Sequence, residues 1–492
     1  MLSIVVSRAD SASVHIGDHL REAVEFERRI DDSLTDAAGG GTVYVGEGIE
    51  LREFEERHLE LERPADVFEA PTLIVFASRH AGDTGRLLTA HHTGNAGPAE
   101  HGGRPNELAR ACPNAHARVL EALDDHAPPG YDVGMECTHH GPSEVGAPSL
   151  FVEVGSGPEE WADPAAARAV ARAILALRGI SPDRETEATT PGRIPPAEDA
   201  VTHADRRHLV GFGGGHYTPR FERIVRETEW AVGHVLADWG LDAIPDGETL
   251  TALVGEALDR SAASHALVDG DHPAVEAAID AHDCRSVTET WVRETDGVPL
   301  DLVRVLETAL GDVDSGLRFG DAARDAGLED RPTVSPTVRE QSPDDVGIEA
   351  LPSDWRARTL PADLLDEAFG IDAQATRDAV ATRTLAFQTS EGGTRPTGRV
   401  VLAKRATRND ILDDLVGILG DRYDTVARRG DEVVATVEEF SPDLAATLGV
   451  PEGPAFGRLA DGETVEVDGR TIPPEAVREE RTRRFSLSVT EE

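Results

Sequence analysis

Short apolar runs alternate with helical patterns throughout the first 310 residues of this 492-residue chain. The runs LSIVVS, PTLIVFAS, YDVGMEC, SLFVEVGS and HLVGFGG have the length and composition of strands. Because LIVFA carries no polar side chain, its strand is expected to be covered on both faces. Apolar strands that alternate with helices predict an α/β fold, with a central mixed, largely parallel sheet flanked by helices.

Two segments of this part carry helix signals. In DPAAARAVARAILALRG, Asp163 is placed to cap the first turn, Pro164 suits the first helical position, and Gly179 lies past the end. The segment NELARACPNAHARVLEALDD has a helical pattern that Pro113 interrupts, because proline lacks the amide hydrogen that a helix interior needs. His116, just past that proline, is expected to be a packed or exposed side chain without a catalytic role.

The histidines divide the chain. All 18 lie between His15 and His282, which indicates that the two parts of the chain do not share one task. Around residues 311–350 the sequence becomes rich in Asp, Pro, Ser and Gly, a composition typical of linkers. We therefore predict a functional domain over residues 1–310, an acidic Pro- and Asp-rich linker over 311–350, and a smaller accessory α+β domain over 351–492.

The charge balance reports the environment of the protein more than a partner. Acidic residues number 92 against 48 basic ones, the formal charge is −44, and Lys404 is the single lysine. A soluble chain of this composition suits molar salt, where charges are screened within about 3 Å, so we predict a halophilic source. Net charge does not exclude RNA, because in high salt RNA binding rests on local arginines, backbone amides and shape. A disordered acidic chain is disfavoured by the recurring apolar periodicity.

Cysteine usage and hydropathy indicate a cytoplasmic protein. Cys112, Cys137 and Cys284 are widely spaced and form no C-x-x-C pair, which argues against a disulfide framework and against a thiolate zinc site. No cysteine is expected beside a histidine as a nucleophile, and no G-x-S-x-G elbow occurs. The N-terminus has no signal-peptide pattern, and no apolar run of about 18 residues predicts a membrane span.

Histidines collect among turn residues after three of the predicted strands. The three groups are His80 with His91 and His92, the pair His139 and His140, and His216. A single histidine near a strand end is usually structural, but three such groups favour a shared site. Neutral imidazoles together with a carboxylate are the ligands of a catalytic zinc, whose bound water has a pKa of about 7. The pattern favours a metal site, with purely structural histidines as the alternative.

Two glutamates accompany these histidines. Glu153 lies between Val152 and Val154 in an apolar strand, and a buried carboxylate there needs a metal, an arginine or a histidine as partner. The alternative is an edge strand with Glu153 facing water. Glu136 directly precedes the turn of the histidine pair and is placed to orient one of the imidazoles or to accept a proton.

Turn residues next to the histidines are candidates for substrate binding. A run of three glycines lets a backbone approach a ligand closely, although it matches no nucleotide-binding fingerprint and a purely conformational role is equally compatible. The candidate substrate-binding residues are Ser78, Arg79, Thr93, Gly94, Asn95, Gly213, Gly214 and Gly215.

Several long motifs resemble a known family. SRHAGDTGRLLTAHHTGN, PNELARACP, ECTHHGPSEVGAPSLFVEVGS and GFGGGHYTPRF, in this order over residues 1–310, are similar to the archaeal and plant type of D-aminoacyl-tRNA deacylase. The resemblance implies zinc-dependent hydrolysis of the ester that joins a D-amino acid to tRNA. It also implies an α/β fold like that of peptidyl-tRNA hydrolases and nucleoside phosphorylases, with the C-terminal part as an extension.

Motif by motif, the resemblance implies a site that contains His80, His91, His139, His140, Glu153 and His216. His92 occupies a variable place in its motif and is left out. We assign zinc binding to His80, His91 and His216, and catalysis to His139, His140, Glu136 and Glu153. The expected mechanism is attack of a zinc-polarised water on the ester carbonyl, with a histidine or Glu136 as proton acceptor and backbone amides near the glycine turn stabilising the oxyanion.

The expected partner is the acceptor end of D-aminoacyl-tRNA with its 3′-terminal adenosine, bound by a monomer that uses neither DNA nor a membrane. Two other functions fit the same residues. One is a hydrolase or phosphorylase acting on peptidyl-tRNA or nucleosides, and the other is a tRNA-binding module whose histidines are only structural.

Overall fold

The computed structural model describes residues 1–182, 207–325, 355–402 and 406–488. The chain divides into two compact units, Met1–Asp296 and Gly297–Glu492. Every histidine in the described part of the chain belongs to the first unit.

An eight-stranded sheet is the centre of the first unit. Its strands are β1 Leu2–Ser7, β2 Glu27–Asp31, β3 Gly41–Gly46, β4 Ile49–Phe54, β5 Leu73–Arg79, β6 Leu87–His91, β7 Asp132–Met135 and β8 Ser149–Gly155. Their order in the sheet is β2-β3-β4-β1-β5-β8-β6-β7. Strands β4, β1, β5 and β8 run parallel to one another, and β2 and β3 extend this sheet with antiparallel pairings at the β4 side. Strands β6 and β7 form a parallel pair that runs opposite to β8.

A second sheet follows in the same unit and is entirely parallel. Its strands are β9 Arg207–Gly213, β10 Trp230–Leu236, β11 His265–Asp269 and β12 Arg285–Ser286, in the order β10-β9-β11-β12. The helices of the unit are α1 Ser11–Ala23, α2 Pro113–His126, α3 Pro158–Trp161, α4 Pro164–Leu175, α5 Pro219–Glu227, α6 Asp238–Asp242, α7 Gly247–Arg260, α8 Pro273–Asp280 and α9 Glu289–Glu294. Helix α2 packs against both β6 and β10 and so joins the two sheets.

These elements confirm the predicted α/β class with its mixed, largely parallel central sheet. The apolar strands at β1, β5 and β8 are buried along almost their whole length, as expected for strands with both faces covered. Helix α4 begins at Pro164, and the Asp163 side chain accepts the Ala165 amide hydrogen. Pro113 starts helix α2 instead of interrupting a longer helix, because the first helical position needs no amide donor.

The second unit is smaller and has mainly antiparallel sheets. Its strands are β13 Leu317–Phe319, β14 Arg356–Thr359, β15 Thr384–Ser390, β16 Arg395–Leu402, β17 Thr425–Arg429, β18 Glu432–Phe440, β19 Val465–Val467, β20 Arg470–Ile472 and β21 Arg478–Ser486. They form the sheets β13-β15-β16-β14 and β17-β18-β21 and the hairpin β19-β20. The helices are α10 Leu300–Leu310, α11 Asp321–Arg324, α12 Ala362–Ile371, α13 Ala373–Ala381, α14 Arg408–Leu419, α15 Pro442–Thr447 and α16 Pro454–Ala460.

The predicted linker over 311–350 lies only partly in the described chain. Its first part, up to residue 325, contains β13 and α11, and β13 pairs with β15 in the second unit. The remainder, from residue 326 to 350, lies outside the described residues. Among the helices that the structure describes, none has the length and apolar character needed to span a bilayer.

Candidate active site

Strand β8 carries the floor of the site on one of its faces. Phe151, Glu153 and Gly155 alternate along this strand and therefore share a face. The His91 ring stacks on the Phe151 ring with centroids 5.3 Å apart. At the other end of the strand, a Cβ on Gly155 would lie 2.6 Å from Nδ1 of His80, so the absence of a side chain at Gly155 makes room for the His80 ring.

Two histidines thus lie over this face of β8, His91 against Phe151 and His80 against Gly155. His80 follows β5, which is parallel to β8, whereas His91 ends β6, which is antiparallel to it. Nε2 of His91 lies 3.9 Å from Oε1 of Glu153. The alternative of a water-exposed Glu153 on an edge strand is wrong, because β8 lies between β5 and β6 and the residue is buried.

Glu136, the residue directly after β7, occupies the centre of the histidine group. Its Oε1 lies 3.3 Å from Nε2 of His80, and its Oε2 lies 3.4 Å from Nε2 of His216 and 3.6 Å from Nε2 of His139. Burial alone would raise the pKa of Glu136, but the imidazole of His216, with smaller contributions from the other histidines, outweighs it and holds that pKa well below its usual range. Neither carboxylate oxygen has a hydrogen bond of acceptable geometry to any residue that the structure describes.

Backbone carbonyls orient three of the imidazoles. Nδ1 of His91 donates to the carbonyl of His92. Nδ1 of His139 donates to the Cys137 carbonyl, and Nδ1 of His140 donates to the Gly141 carbonyl. Each of these three bonds is 2.9 Å long. This tautomer leaves a lone pair on each Nε2. The His91 ring lies 4.2 Å from that of His139 and 4.8 Å from that of His140, measured between centroids. Several Nε2 lone pairs therefore face one small volume.

Burial keeps these imidazoles neutral. It lowers the pKa of His139 and that of His140 to about 3, and that of His91 falls well below its usual range. Burial also keeps Glu153 neutral, but as a protonated acid. Burial is the larger cause and the charge of Glu136 the second, and together they raise the pKa of Glu153 well above its usual value. The site is thus electron-rich but contains few formal charges.

His80 is held by hydroxyl groups on both ring nitrogens. Its Nδ1 lies 3.1 Å from Oγ of Ser156, and its Nε2 lies 3.2 Å from the Tyr217 hydroxyl. Tyr217 directly follows His216 in the turn after β9. Nε2 of His80 therefore faces both the phenol and the Glu136 carboxylate.

The site residues form overlapping groups with the donor set of a metal centre. Ligand atoms within 4.8 Å of one another occur in four groups, which are His80–Glu136–His216, His91–Glu136–Glu153, His91–His139–His140 and Cys137–His139–His216. Of the predicted metal ligands, His80 and His216 come together through Glu136. His91 belongs to neighbouring groups, one of which also contains Glu136.

A sequence profile of the D-aminoacyl-tRNA deacylase family matches residues 67–287, a stretch that contains all these site residues. A D-aminoacyl-tRNA deacylase of Haloarcula marismortui is 48% identical over 99% of this chain and 100% of its own length. The chain belongs to the D-aminoacyl-tRNA deacylase family. The family resemblance predicted from the motifs is confirmed.

Other relatives extend this result. D-aminoacyl-tRNA deacylases of Halorubrum lacusprofundi and Methanococcoides burtonii are 49% and 30% identical, covering 99% and 97% of this chain and 97% and 94% of their own lengths. A crystal structure of a conserved protein of unknown function, AF0625, superposes with a TM-score of 0.50 at 28% identity and covers 60% of this chain and 98% of its own. Similarity to several haloarchaeal deacylases supports the predicted halophilic source.

In this deacylase-family chain, several predicted substrate-binding residues have internal partners. The Gly94 amide donates to the His140 carbonyl at 2.8 Å, and Asn95 Nδ2 donates to the carbonyls of Gly102 and Arg104. Arg79 stacks over the Trp161 ring at 4.7 Å, and Ser78 hydrogen-bonds Glu153. Thr93 is fully buried. Gly94 and Asn95 thus shape the loops around the histidine pair.

The glycine turn has a conformational function in the structure. Gly213 has a φ of +92° and Gly214 a φ of +79°, and a Cβ on Gly213 would lie 2.1 Å from the Asp269 carbonyl oxygen. The Gly214 amide donates to Asp238 at 3.0 Å. This amide is therefore already bonded, and the turn serves to deliver His216 to the site.

The deacylase-family site includes residues that sequence reasoning missed. Cys137 was not predicted to belong to the site, yet its Sγ is 3.7 Å from Nδ1 of His216. Burial raises the pKa of Cys137 to about 12, so its thiol stays protonated. Tyr217 was also missed, although its position after His216 in the GGGHY motif was a usable signal.

A second histidine cluster lies behind the site. His92, His116 and His234 are fully buried, with the His92 ring 4.7 Å from His116 and 5.6 Å from His234. His116 is packed, in agreement with its position in a helical pattern. His234 contacts Thr138 Oγ1 at 2.9 Å and the Ala109 carbonyl at 2.8 Å, and so anchors the segment that carries His139.

Proposed function

We propose that this protein hydrolyses the ester bond of D-aminoacyl-tRNA in a zinc-dependent reaction, releasing the free D-amino acid and tRNA. Relatives that match this chain over nearly all of its length are D-aminoacyl-tRNA deacylases. The proposed zinc dependence rests on one observation. The Glu136 carboxylate is surrounded by the Nε2 atoms of His80, His139 and His216. A cytoplasmic location follows from a tRNA substrate.

The donor set fits a metal ion. Among the described residues, Nε2 of His91 and both oxygens of Glu136 are buried without a hydrogen-bond partner, which is costly unless an ion satisfies them. Nε2 of His80 and of His216 with one Glu136 oxygen would give three protein ligands and leave a position open, as catalytic zinc sites require. His91, also predicted as a ligand, would act with Glu153 in the adjoining group. A bound zinc supplies a water whose pKa is about 7.

The chain's own residues would orient the attacking water and accept its proton. His139 is neutral, its Nδ1–H is held by the Cys137 carbonyl, and its Nε2 faces Glu136 at 3.6 Å. We assign it the role of proton acceptor. Burial lowers the pKa of His139, and the Glu136 carboxylate opposes that effect because it stabilises the imidazolium that forms. His140 and Glu153 hold the His91 ring from two sides. Since the Gly214 amide is bonded to Asp238, we do not assign it to the oxyanion.

The decisive experiment measures release of D-tyrosine and L-tyrosine from matched tyrosyl-tRNAs in high KCl. We expect release of the D-enantiomer only, loss of activity with a zinc chelator, and recovery with added zinc. Equal rates with and without chelator would remove the metal from the mechanism, and no release of D-tyrosine would refute the function.

Two variants test the histidine pair. His139→Ala should lower kcat by about 10²-fold or more, the typical contribution of a general base, while the fold is retained. His140→Ala should have a smaller effect, because His140 packs edge-on against the His91 ring at 4.8 Å, whereas Nε2 of His139 lies 3.6 Å from the Glu136 carboxylate. Retained RNA binding with no activity to lose in the parent protein would instead indicate the non-catalytic tRNA-binding module.

A further inference from the structure

Trp239 is an exposed aromatic side chain at the border of the candidate active site. It lies in α6, directly after β10, and 48% of its surface is exposed. Its indole neighbours the Cys137 thiol, whose Sγ lies 3.7 Å from Nδ1 of His216. One side chain, Cys137, therefore separates the exposed ring from the histidines around Glu136.

The other tryptophans of the chain do not share this exposure. Trp230, Trp291 and Trp355 are 0%, 2% and 8% exposed, and the Trp161 ring is covered by the Arg79 guanidinium. A large aromatic surface left in water is a common property of binding sites, since burying it on association is favourable. Trp239 is thus the one tryptophan in the described part of the chain whose ring is free for an external partner.

The backbone around Trp239 is held firmly. The Asp238 amide donates to the Gly214 carbonyl, and the Gly214 amide donates to the Asp238 carboxylate, both at 3.0 Å. These two bonds tie the start of α6 to the turn that carries His216. Because these bonds fix the start of α6, the backbone that carries the ring is preorganised, and binding to the ring costs little backbone entropy.

We propose that Trp239 stacks on the base of the 3′-terminal nucleotide of the tRNA substrate. This inference rests on the proposed function and names the group that this border of the site recognises. One ribose separates the scissile ester from the terminal base, and one side chain separates Trp239 from His216. Unpaired bases of RNA are commonly recognised by stacking on aromatic side chains.

The local charges favour a base over a phosphate. Asp238 and Asp242 flank Trp239 in α6, and Asp238 is 53% exposed even though it pairs with His272. Carboxylates at this place repel a phosphate but not an uncharged ring. Stacking also keeps its strength in molar salt, where screening weakens phosphate contacts. The charge of the chain is therefore compatible with this mode of RNA recognition.

The test uses the full-length protein in high KCl, with the RNA trinucleotide 5′-CCA-3′ as probe and the dinucleotide 5′-CC-3′ as matched control. We expect CCA to quench tryptophan fluorescence and CC to do so much less. Trp239→Leu should remove the quenching and weaken CCA binding, measured by calorimetry, by about tenfold or more. Trp239→Phe should lie between the parent and Trp239→Leu, because phenylalanine retains a smaller ring. Ile30→Ala, at an exposed apolar position on β2, is the control and should bind CCA like the parent protein.

Deacylation kinetics provide the second readout. Trp239→Leu should raise KM for D-tyrosyl-tRNA and leave kcat unchanged, since stacking contributes to binding and not to the chemical step. Unchanged CCA affinity and unchanged KM in a folded Trp239→Leu variant would overturn the proposal, even if D-tyrosine is released. Conversely, Trp239-dependent binding of CCA by a protein that releases no D-tyrosine would refute the deacylase function and leave the stacking site in place.

Discussion

Oε1 of Glu136 lies 3.3 Å from Nε2 of His80, although the two residues follow different strands that are not neighbours in the sheet. The contact forms because the segment after β7 crosses toward the second sheet, where the Cys137 amide donates to the His216 carbonyl at 2.8 Å. Glu136 is thereby turned inward between histidines from both sheets. This relationship has consequences that can be measured.

Glu136→Gln should abolish high-affinity zinc binding and lower deacylation by at least about 100-fold. The amide has the shape of the carboxylate but no charge, and a zinc ligand must be an anion or a neutral imidazole. Zinc retained after dialysis, measured by elemental mass spectrometry, and the rate of D-tyrosine release report the two effects. Glu248→Gln, the same change at an exposed position on α7, should leave both unchanged. Full zinc content in Glu136→Gln would show that the carboxylate is not a ligand.

Tyr217→Phe should tighten zinc binding by about two- to tenfold, the equivalent of one neutral hydrogen bond. The phenol hydroxyl lies 3.2 Å from Nε2 of His80, so a metal on that nitrogen must first displace it. Competition against a fluorescent chelator measures the affinity. Tyr131→Phe removes a hydroxyl that contacts Asp163, away from the site, and should bind zinc like the parent protein. Weaker zinc binding in Tyr217→Phe would mean that the phenol supports the metal instead of competing with it.

Glu153→Gln should alter the free energy of unfolding of the chelator-treated protein by less than about 1 kcal/mol at pH 7. Burial raises the pKa of Glu153 well above its usual value, so the metal-free protein holds this carboxyl as a neutral acid and an amide replaces it without loss of charge. Denaturant titration in high KCl measures the change. A shift above about 2 kcal/mol would indicate that Glu153 is ionised in the metal-free fold.

Acid should destabilise the protein through its buried histidines. Burial lowers the pKa of His234 to about 4 from 6.5, so the folded state binds a proton there less readily than the unfolded state. Its contribution to stability is complete above pH 6.5 and is lost as the pH falls toward 4, where the loss reaches about 3 kcal/mol. The free energy of unfolding should therefore depend less on pH over this range in His234→Gln than in the parent protein.

The control for this pH series is His126→Gln, which changes an exposed histidine at the end of α2. It should show the same pH dependence as the parent protein, since an exposed imidazole loses little solvation on folding. Equal pH dependence in His234→Gln and His126→Gln would contradict a buried neutral His234.

Much of the first unit could be predicted from periodicity and capping residues. The apolar runs at β1, β5 and β8 and the Asp163–Pro164 start of α4 are local signals, and local signals decide where such elements form. In the second unit, PADLLDEAFGIDAQATRDAVATR has one continuous helical pattern, but Asp372 ends α12 and caps α13. A capping aspartate inside a helical pattern was therefore a missed signal.

The residues of the site could also be predicted from the sequence, since the histidines, Glu136 and Glu153 belong to long motifs. Their arrangement was not, because strand direction is a tertiary property. The three histidine groups that follow strands were expected to share a site, but the sequence does not show that β6 and β7 run opposite to β8 or that the groups meet over the face of β8.

By itself, the sequence determined the fold class, the family and the residues that carry chemistry. The hydrophobic period, the residues that form turns and the order of the motifs are all local properties of the chain. Only the tertiary structure decided which Nε2 atoms face Glu136, that Cys137 and Tyr217 join the site, and that Trp239 remains exposed beside it. These are contacts between residues far apart in the sequence. They depend on how two sheets pack and on the direction of each strand, which no local pattern records.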